Sequence, residues 1–259
     1  LRGYLRAVGA AWVDDPSNEM TKFDRIRARK ALPDLAKLGL SAQVLAGVAQ
    51  HMAQARSALE YATAGLARDV LGQAAGIITL SPDWLRAPPE LQRRLIQRVI
   101  LWIAPADYAP RGAALAGAIA RISARLPAQL GGCHFVPHLG QTIAFREARR
   151  AGPPLPVFGM PACGPQTPAL WDGVWRAAPT LLGTSPNPAT QIRALGADGL
   201  AQWPLWRAAC QKAGLPRAAL LSQPSLWAQG ALLATPLQQD FGQNPPFLRS
   251  PAADSLFEL

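Results

Sequence analysis

Sixteen of the 25 prolines in this 259-residue chain lie after residue 150, and six of them fall between 153 and 168. Proline removes an amide donor and clashes with the preceding helical turn, so long helices are confined to the first 150 residues. The rest of the chain must be assembled from short pieces. The uncharged stretch 151–171 holds Pro153, Pro154, Pro156, Pro161, Pro165 and Pro168. Prolines at that density cannot keep a membrane-spanning helix hydrogen-bonded, so no transmembrane segment is expected. The same composition marks an extended connection between domains, and a boundary is placed there.

Before that connection, apolar periodicity predicts three helices. Ser41 can cap a long one in which Leu45, Val48, Met52, Leu59, Leu66 and Val70 form one buried stripe ending near Gly72. After Pro88 and Pro89, Leu91, Leu95, Val99 and Ile103 form a second stripe with Ile96 and Ile100, and Arg93, Arg94 and Arg98 take the other faces. Leu115, Ile119, Ile122 and Leu126 give a third helix, closed by Pro127, with Arg121 and Arg125 outward. Alternation from Cys133 to Arg146, around a turn at Gly140-Gln141, predicts two strands in a hairpin. Beyond the connection, Ala169–Arg176 and Ala231–Pro236 read as strands, Gly199–Lys212 as helix, and the end after Asn244 as loose. The expected fold class is therefore α+β: a mainly helical first part ending in a small β-hairpin, then a small proline-rich α+β module.

Charge is distributed unevenly. Residues 1–150 carry 20 basic and 11 acidic side chains, and residues 151–259 carry 6 and 5. Only four of the 26 cations are lysine, so the flat guanidinium fork dominates, the group suited to phosphate and to stacking on bases. A polyanionic partner is the leading inference from composition. Cys133, Cys163 and Cys210 are widely spaced, which fits a reducing compartment, with cytoplasm as the default. Leu1 is not methionine, and Leu-Arg-Gly-Tyr-Leu-Arg reads as the tail of a helix already under way, without a signal-type leader. An N-terminally incomplete chain is expected.

The most informative segment is 12–33. Asp15-Pro16-Ser17-Asn18 is a turn signature, in which Asp and Asn bond nearby amides and proline presets the bend. A helix then starts near Lys22, with Arg25 and Arg29 four residues apart and Arg27 and Lys30 beside them. Like charges at that spacing repel, so a ridge of unpaired arginines beside a rigid turn points to phosphate or nucleotide contacts.

This stretch resembles the tRNA(Ile)-lysidine synthetase family, whose members carry an Asp-Pro-Ser-Asn turn, an Arg-Asn-X-Ile/Leu-Arg segment and a leucine-proline close. Asp15 to Asn18, Arg25, Arg29 and Leu32-Pro33 match, while Ile26 stands where the family commonly has asparagine. The likeness continues through Leu130-Gly131-Gly132-Cys133 and Arg146-Glu147, and more weakly through Trp171-Asp172-Gly173 and Leu195-Gly196. The resemblance implies ATP-dependent attachment of lysine, through an adenylated base, to the wobble cytidine of a CAU-anticodon isoleucine tRNA. Lysine, ATP and magnesium would serve the complete enzyme, and no membrane is involved. The family's Ser-Gly-Gly-X-Asp-Ser phosphate loop is not in this sequence, whose one Gly-Gly pair is Gly131-Gly132. The chain thus resembles the family's C-terminal part, predicted to be inactive alone and to hold no nucleotide tightly. It would comprise the end of a catalytic domain (1–40), a helical linker and tRNA-binding domain (41–150), the proline-rich linker (151–168) and a small α+β domain (169–259).

On this reading Arg25 and Arg29 steady phosphate or substrate charge, and Asp15 and Asn18 shape the loop. Arg27, Arg93, Arg94, Arg98, Arg121, Arg125 and Arg146 face tRNA, because the basic helices carry few compensating acids. Simpler readings are preferred elsewhere. Asp14 and Asp15 form a turn before they form a metal site. Cys133, His134 and His138 supply at most three ligands where a closed zinc site wants four, so no metal is assigned. His51 has no nucleophile partner at a recognisable spacing, and the eight tryptophans are assigned to packing. The alternatives to the ligase are a non-catalytic basic RNA-binding module and a basic helical scaffold for protein partners.

Overall fold

The computed structural model describes residues 2–11, 13, 20–156, 170–177, 189–236 and 247–249. The chain divides into two compact units, Leu1–Ala58 and Leu59–Leu259. The first holds α1 (Arg2–Ala7), α2 (Asp24–Lys37) and the start of α3 (Ala42–Val70). Helix α2 runs through Pro33, so the leucine-proline pair does not close it. It stops at Gly39, whose φ of +83° permits the reversal. The Ser41 Oγ accepts from the Val44 amide at 3.3 Å and caps α3, as expected. The expected continuous stripe on α3 is corrected: Val48 and Met52 are 51% and 63% exposed, and burial begins only at Thr63, Ala64, Ala67 and Val70.

In the second unit a five-stranded antiparallel sheet has the order β1-β2-β5-β4-β3. Its strands are β1 (Leu71–Ala74), β2 (Ile77–Leu80), β3 (Ala128–Leu130), β4 (Cys133–His138) and β5 (Gln141–Arg146). The β4–β5 hairpin agrees with the alternation, although its turn is Leu139-Gly140, where both residues have positive φ. Strands β1, β2 and β3 are not signalled by periodicity. Gly72, which the spacing places at a helix end, sits inside β1, where a Cβ would lie 2.4 Å from Thr79 Oγ1.

One face of the sheet packs under α4 (Pro89–Ile103) and α5 (Gly112–Ser123). Pro89 occupies the first turn of α4, where its missing amide costs nothing. Leu95, Ile96, Val99 and Ile100 from α4, Leu115 and Ile122 from α5, and Ile78, Phe135 and Ala144 from the sheet form the main core. Leu126 is 48% exposed, because the third stripe ends one turn earlier than its spacing implies. The opposite face of the sheet is also covered: Ile77, Ile143 and Phe145 cluster with Leu215 and Ala219 from the later part of the chain. Alternate residues of β5 face opposite ways, and Thr142 to Phe145 are all buried.

The remaining residues form a second antiparallel sheet, order β10-β9-β8-β6, and a two-stranded pair. The sheet consists of β6 (Leu155–Pro156), β8 (Thr190–Ala194), β9 (Pro224–Ala228) and β10 (Ala231–Ala234); β7 (Trp175–Ala177) pairs with β11 (Phe247–Arg249). The strand at 247–249 replaces part of the expected loose end. The helical stretch expected over 199–212 is two helices, α6 (Gly196–Gln202) and α7 (Trp206–Ala213), broken before Pro204. Gly214, at φ +61°, ends α7 and brings Leu215 to the first sheet, and α8 (Arg217–Leu220) comes next. The α+β class is as expected. Most of the proline-rich stretch, from 157 to 169, lies outside the described residues.

Gly131 forms the β3–β4 turn at φ +59°, and a Cβ there would lie 2.6 Å from Ile100 Cγ2 and 3.1 Å from Pro110 Cγ. Gly131→Ala should therefore cost about 2–4 kcal/mol, from left-handed strain and overpacking together. Gly117→Ala is the control. Nothing lies within 4 Å of that helical position, so it should gain about 0.5–1 kcal/mol from helix propensity. Urea denaturation of both variants measures the contrast.

Candidate nucleic-acid interface

The expected arginines fall into two groups, those with free forks and those engaged within the protein. In the first unit, Arg25, Arg27 and Arg29 are all exposed on α2. Arg27 pairs with Asp24 three residues earlier, so the ridge is not wholly unpaired. Arg25 lies 5.6 Å from the Phe23 ring centroid, with Lys22 at 5.0 Å from the same ring. Among the described residues Arg29 has no ion-pair partner. Asp15 and Asn18 lie outside the described residues, as does Asp14.

In the second unit, the expectation that the arginines of α4 lack acids is corrected. Glu90, in the first turn of α4, accepts from Arg93 at 2.6 and 2.7 Å and from Arg94 at 2.8 Å. The hydrogen bond from Arg93 is the main reason the Glu90 carboxyl falls from its ordinary value to about 2, with Arg94 adding to it. The chain of contacts continues. Arg93 Nη1 donates to Gln97 Oε1 at 2.8 Å, and Gln97 Nε2 donates to the Pro110 carbonyl at 2.8 Å. Arg93 therefore fixes the loop between α4 and α5 through Gln97. Arg98 is half-buried, and burial pushes its guanidinium below the ordinary value, opposed by the Glu60 carboxylate.

Arg121 is exposed, and among the described residues it uses only its Nε, donating to the Pro127 carbonyl at 2.8 Å. Arg125 is exposed at the left-handed residue ending the α5 turn, with no partner among the described residues. These two present free donors. Arg146 is different. Its Nε and Nη2 grip Asp172 Oδ2 and Oδ1 at 2.8 and 2.9 Å, and Nη2 also donates to the Arg150 carbonyl at 2.6 Å. The fork is spent on the protein, joining the end of β5 to the Trp171–Trp175 turn. Trp171 Nε1 donates to the Pro153 carbonyl at 2.9 Å from within the same turn.

Tyr108 and Arg111 do not stand out in the sequence. They flank Pro110 in the α4–α5 loop, Tyr108 is 76% exposed, and the Arg111 guanidinium lies 5.4 Å from its ring centroid. A tyrosine between Pro105 and Pro110, followed by arginine, is the one signal that could have found them.

Among the described residues no group of three or more His, Cys, Asp or Glu converges on a possible metal site. Cys133 is fully buried, His134 stacks on Phe145 at 5.5 Å, and burial pushes the Cys133 thiol up to about 12. No described helix is long and apolar enough to cross a membrane.

Fold and surface together define a basic α+β protein with exposed guanidinium groups on α2 and at both ends of α5. No family model matches the chain. The tRNA(Ile)-lysidine synthase of Ruegeria pomeroyi is 42% identical over 238 residues, 92% of this chain and 52% of that protein, and the match falls on its C-terminal half. The proteins of the same name from Bradyrhizobium and Bartonella quintana are 33% identical over 110 residues and 39% identical over 57 residues. These shorter matches cover 39% and 22% of this chain and 31% and 12% of those proteins. The chain is a relative of the tRNA(Ile)-lysidine synthases, a tRNA-modification family. It spans about half the length of the Ruegeria pomeroyi protein.

Two outcomes are expected from this geometry. Arg146→Ala and Asp172→Ala should each cost about 3 kcal/mol, since each leaves a largely buried charge unpaired, and the double variant should cost clearly less than their sum. Equilibrium unfolding of the four proteins completes that cycle, with additivity as the contrary result. Alkylation at pH 8 and subsequent peptide mass mapping should leave Cys133 unmodified in the native chain and label it after denaturation.

Proposed function

We propose that this chain is the C-terminal part of a tRNA(Ile)-lysidine synthase and supplies its tRNA-holding surface. The observation that carries the reading is the 42% identity to the Ruegeria pomeroyi protein across 92% of this chain. The complete enzyme would use ATP to adenylate the wobble cytidine of a CAU-anticodon isoleucine tRNA and replace the adenylate with lysine. Arg25 and Arg29, on an exposed helix face, would steady phosphate charge beside the loop that Asp15 and Asn18 shape. Arg121 and Arg125 would contact tRNA phosphates, with Arg27, Arg94 and Arg98 as weaker contributors because their charge is already partly answered. Arg93 and Arg146 act through the fold. The phosphate loop that would hold ATP is not in this sequence, so the chain alone would bind tRNA without turning over ATP.

Filter binding of the chain to a CAU-anticodon isoleucine tRNA across a salt series tests the reading. Affinity should fall steeply with salt, and Arg121→Ala and Arg125→Ala should each reduce the magnitude of the log–log slope by about 0.7–0.9, the contribution of one phosphate contact. Arg146→Gln should leave the slope unchanged. Salt-independent or absent binding would favour a scaffold that takes protein partners.

A further inference from the structure

We propose that Tyr108 and Arg111 form a stacking site for one unpaired nucleobase of RNA, and that Gln97 holds this site in place. The inference rests on the reading of the chain as tRNA-binding and adds to it a contact that reads base planes where the arginines read phosphate.

An exposed tyrosine is common and by itself says little, but Tyr108 differs in how its loop is held. On one side Gln97 Nε2 donates to the Pro110 carbonyl at 2.8 Å, and Gln97 is itself oriented by Arg93 at 2.8 Å. On the other side the Pro110 ring sits over Gly131, so close that a Cβ there would lie 3.1 Å from Pro110 Cγ. The hydrogen bond and the steric seat both act on Pro110, which lies between Tyr108 and Arg111 in the chain. The loop is thus anchored at its backbone while the tyrosine ring stays 76% exposed. A ring carried on an anchored backbone loses less conformational entropy on binding than one on a mobile loop, which favours stacking.

The surrounding charge selects the ligand. Arg111 lies 5.4 Å from the ring centroid and is exposed, so a planar π-system entering here meets an aromatic face and a guanidinium together. Every base has a π-face, and an arginine beside it adds a cation–π contribution and a donor for the flanking phosphate. Base-paired RNA hides those faces within its stack, so the site takes a nucleotide from a loop, bulge or end. Glu90, the acid in the first turn of α4, is already held by Arg93 and Arg94, so the exposed Asp107 beside Tyr108 is the carboxylate that Arg111 balances within the loop.

The test uses the full chain with three RNAs: a CAU-anticodon isoleucine tRNA, a short unpaired oligoadenylate, and a blunt duplex of matching length. Tyr108→Ala should weaken binding of the tRNA and the oligoadenylate by about 5- to 100-fold, leave duplex binding unchanged, and leave the salt slope unchanged, because stacking neutralises no phosphate. Tyr108→Phe should bind as the parent does, and Tyr108→Leu as the alanine variant does. Gln97→Met removes the donor to Pro110 and should weaken tRNA binding in the parent but add nothing in the Tyr108→Ala background. That dependence separates a positioning residue from a merely stabilising one. Thermal melting should be unaltered by the Tyr108 substitutions, since the side chain is exposed. Parent-like tRNA binding by Tyr108→Ala, or equal losses on tRNA and duplex, overturns this inference alone. A parent chain that binds none of the three RNAs overturns it together with the proposed function.

Discussion

The five-stranded sheet must bury both of its faces, and the organisation of residues 59–259 depends on how it does so. Helices α4 and α5 cover one face through Leu95, Ile96, Val99, Leu115 and Ile122. That arrangement alone would leave Ile77, Ile143 and Phe145 in water. At about 1.5–3 kcal/mol for each large apolar side chain buried, closing the second face with Leu215 and Ala219 is worth several kcal/mol. The αL ending of α7 at Gly214 delivers Leu215 to that face. The Arg146–Asp172 pair and the packing of Trp175 against Gly76 fix the same junction from its edge. The last part of the chain is therefore joined to the first sheet by an apolar patch and a directional ion pair. The patch supplies energy and the pair supplies orientation.

The same economy of side chains governs the charge. Composition counts every arginine equally, whereas the structure divides them by what their forks already hold. Arg146 serves the junction, and Arg93 serves the α4–α5 loop through Gln97 and Pro110. Glu90 has a lowered carboxyl value because it is shared by two guanidinium groups, so its contribution to stability is present above its unfolded value and fades as pH falls toward about 2. At 41% exposure for both Glu90 and Arg93, solvent screening keeps that contribution small. The significance of this cluster is geometric: it sets the direction of Arg93, and Arg93 sets the loop.

Much of the fold is legible in the sequence because periodicity survives wherever one face is buried. Helix α4, the Ser41 cap and the β4–β5 hairpin all arise from local pattern. The misses have a common cause. Leu71–Ala74 and Ile77–Leu80 form a hairpin directly after a long helix with no proline or charged residue between, so the apolar stripe reads as running on through Val70. Thr142 to Phe145 are buried on both faces, and alternation can report only one of them. Val48 and Met52 fit a helical stripe perfectly well and are exposed all the same, since spacing shows that residues share a face and not that anything covers it. At the candidate site, sequence identifies arginines as a class but does not show Glu90 reaching two of them, a contact within one helix that depends on rotamers. The Asp172 partner of Arg146 is 26 residues away across the proline-rich stretch, beyond any local rule.

A basic surface by itself holds any polyanion, and its grip weakens uniformly with salt. Discrimination among RNAs requires contacts whose strength does not come from counterion release, and such contacts need a rigid frame, because a mobile side chain spends its binding energy on being ordered. In this chain the frame is built from the arginines that the protein itself consumes. Glu90 and Gln97 convert Arg93 from a phosphate ligand into a strut, and the strut ends at a proline whose other side rests on Gly131. The loop so held is the one that carries an exposed aromatic ring next to a free guanidinium. Engaged arginines thus fix geometry, while the free ones leave their donors open to solvent, and neither state can be inferred from net charge.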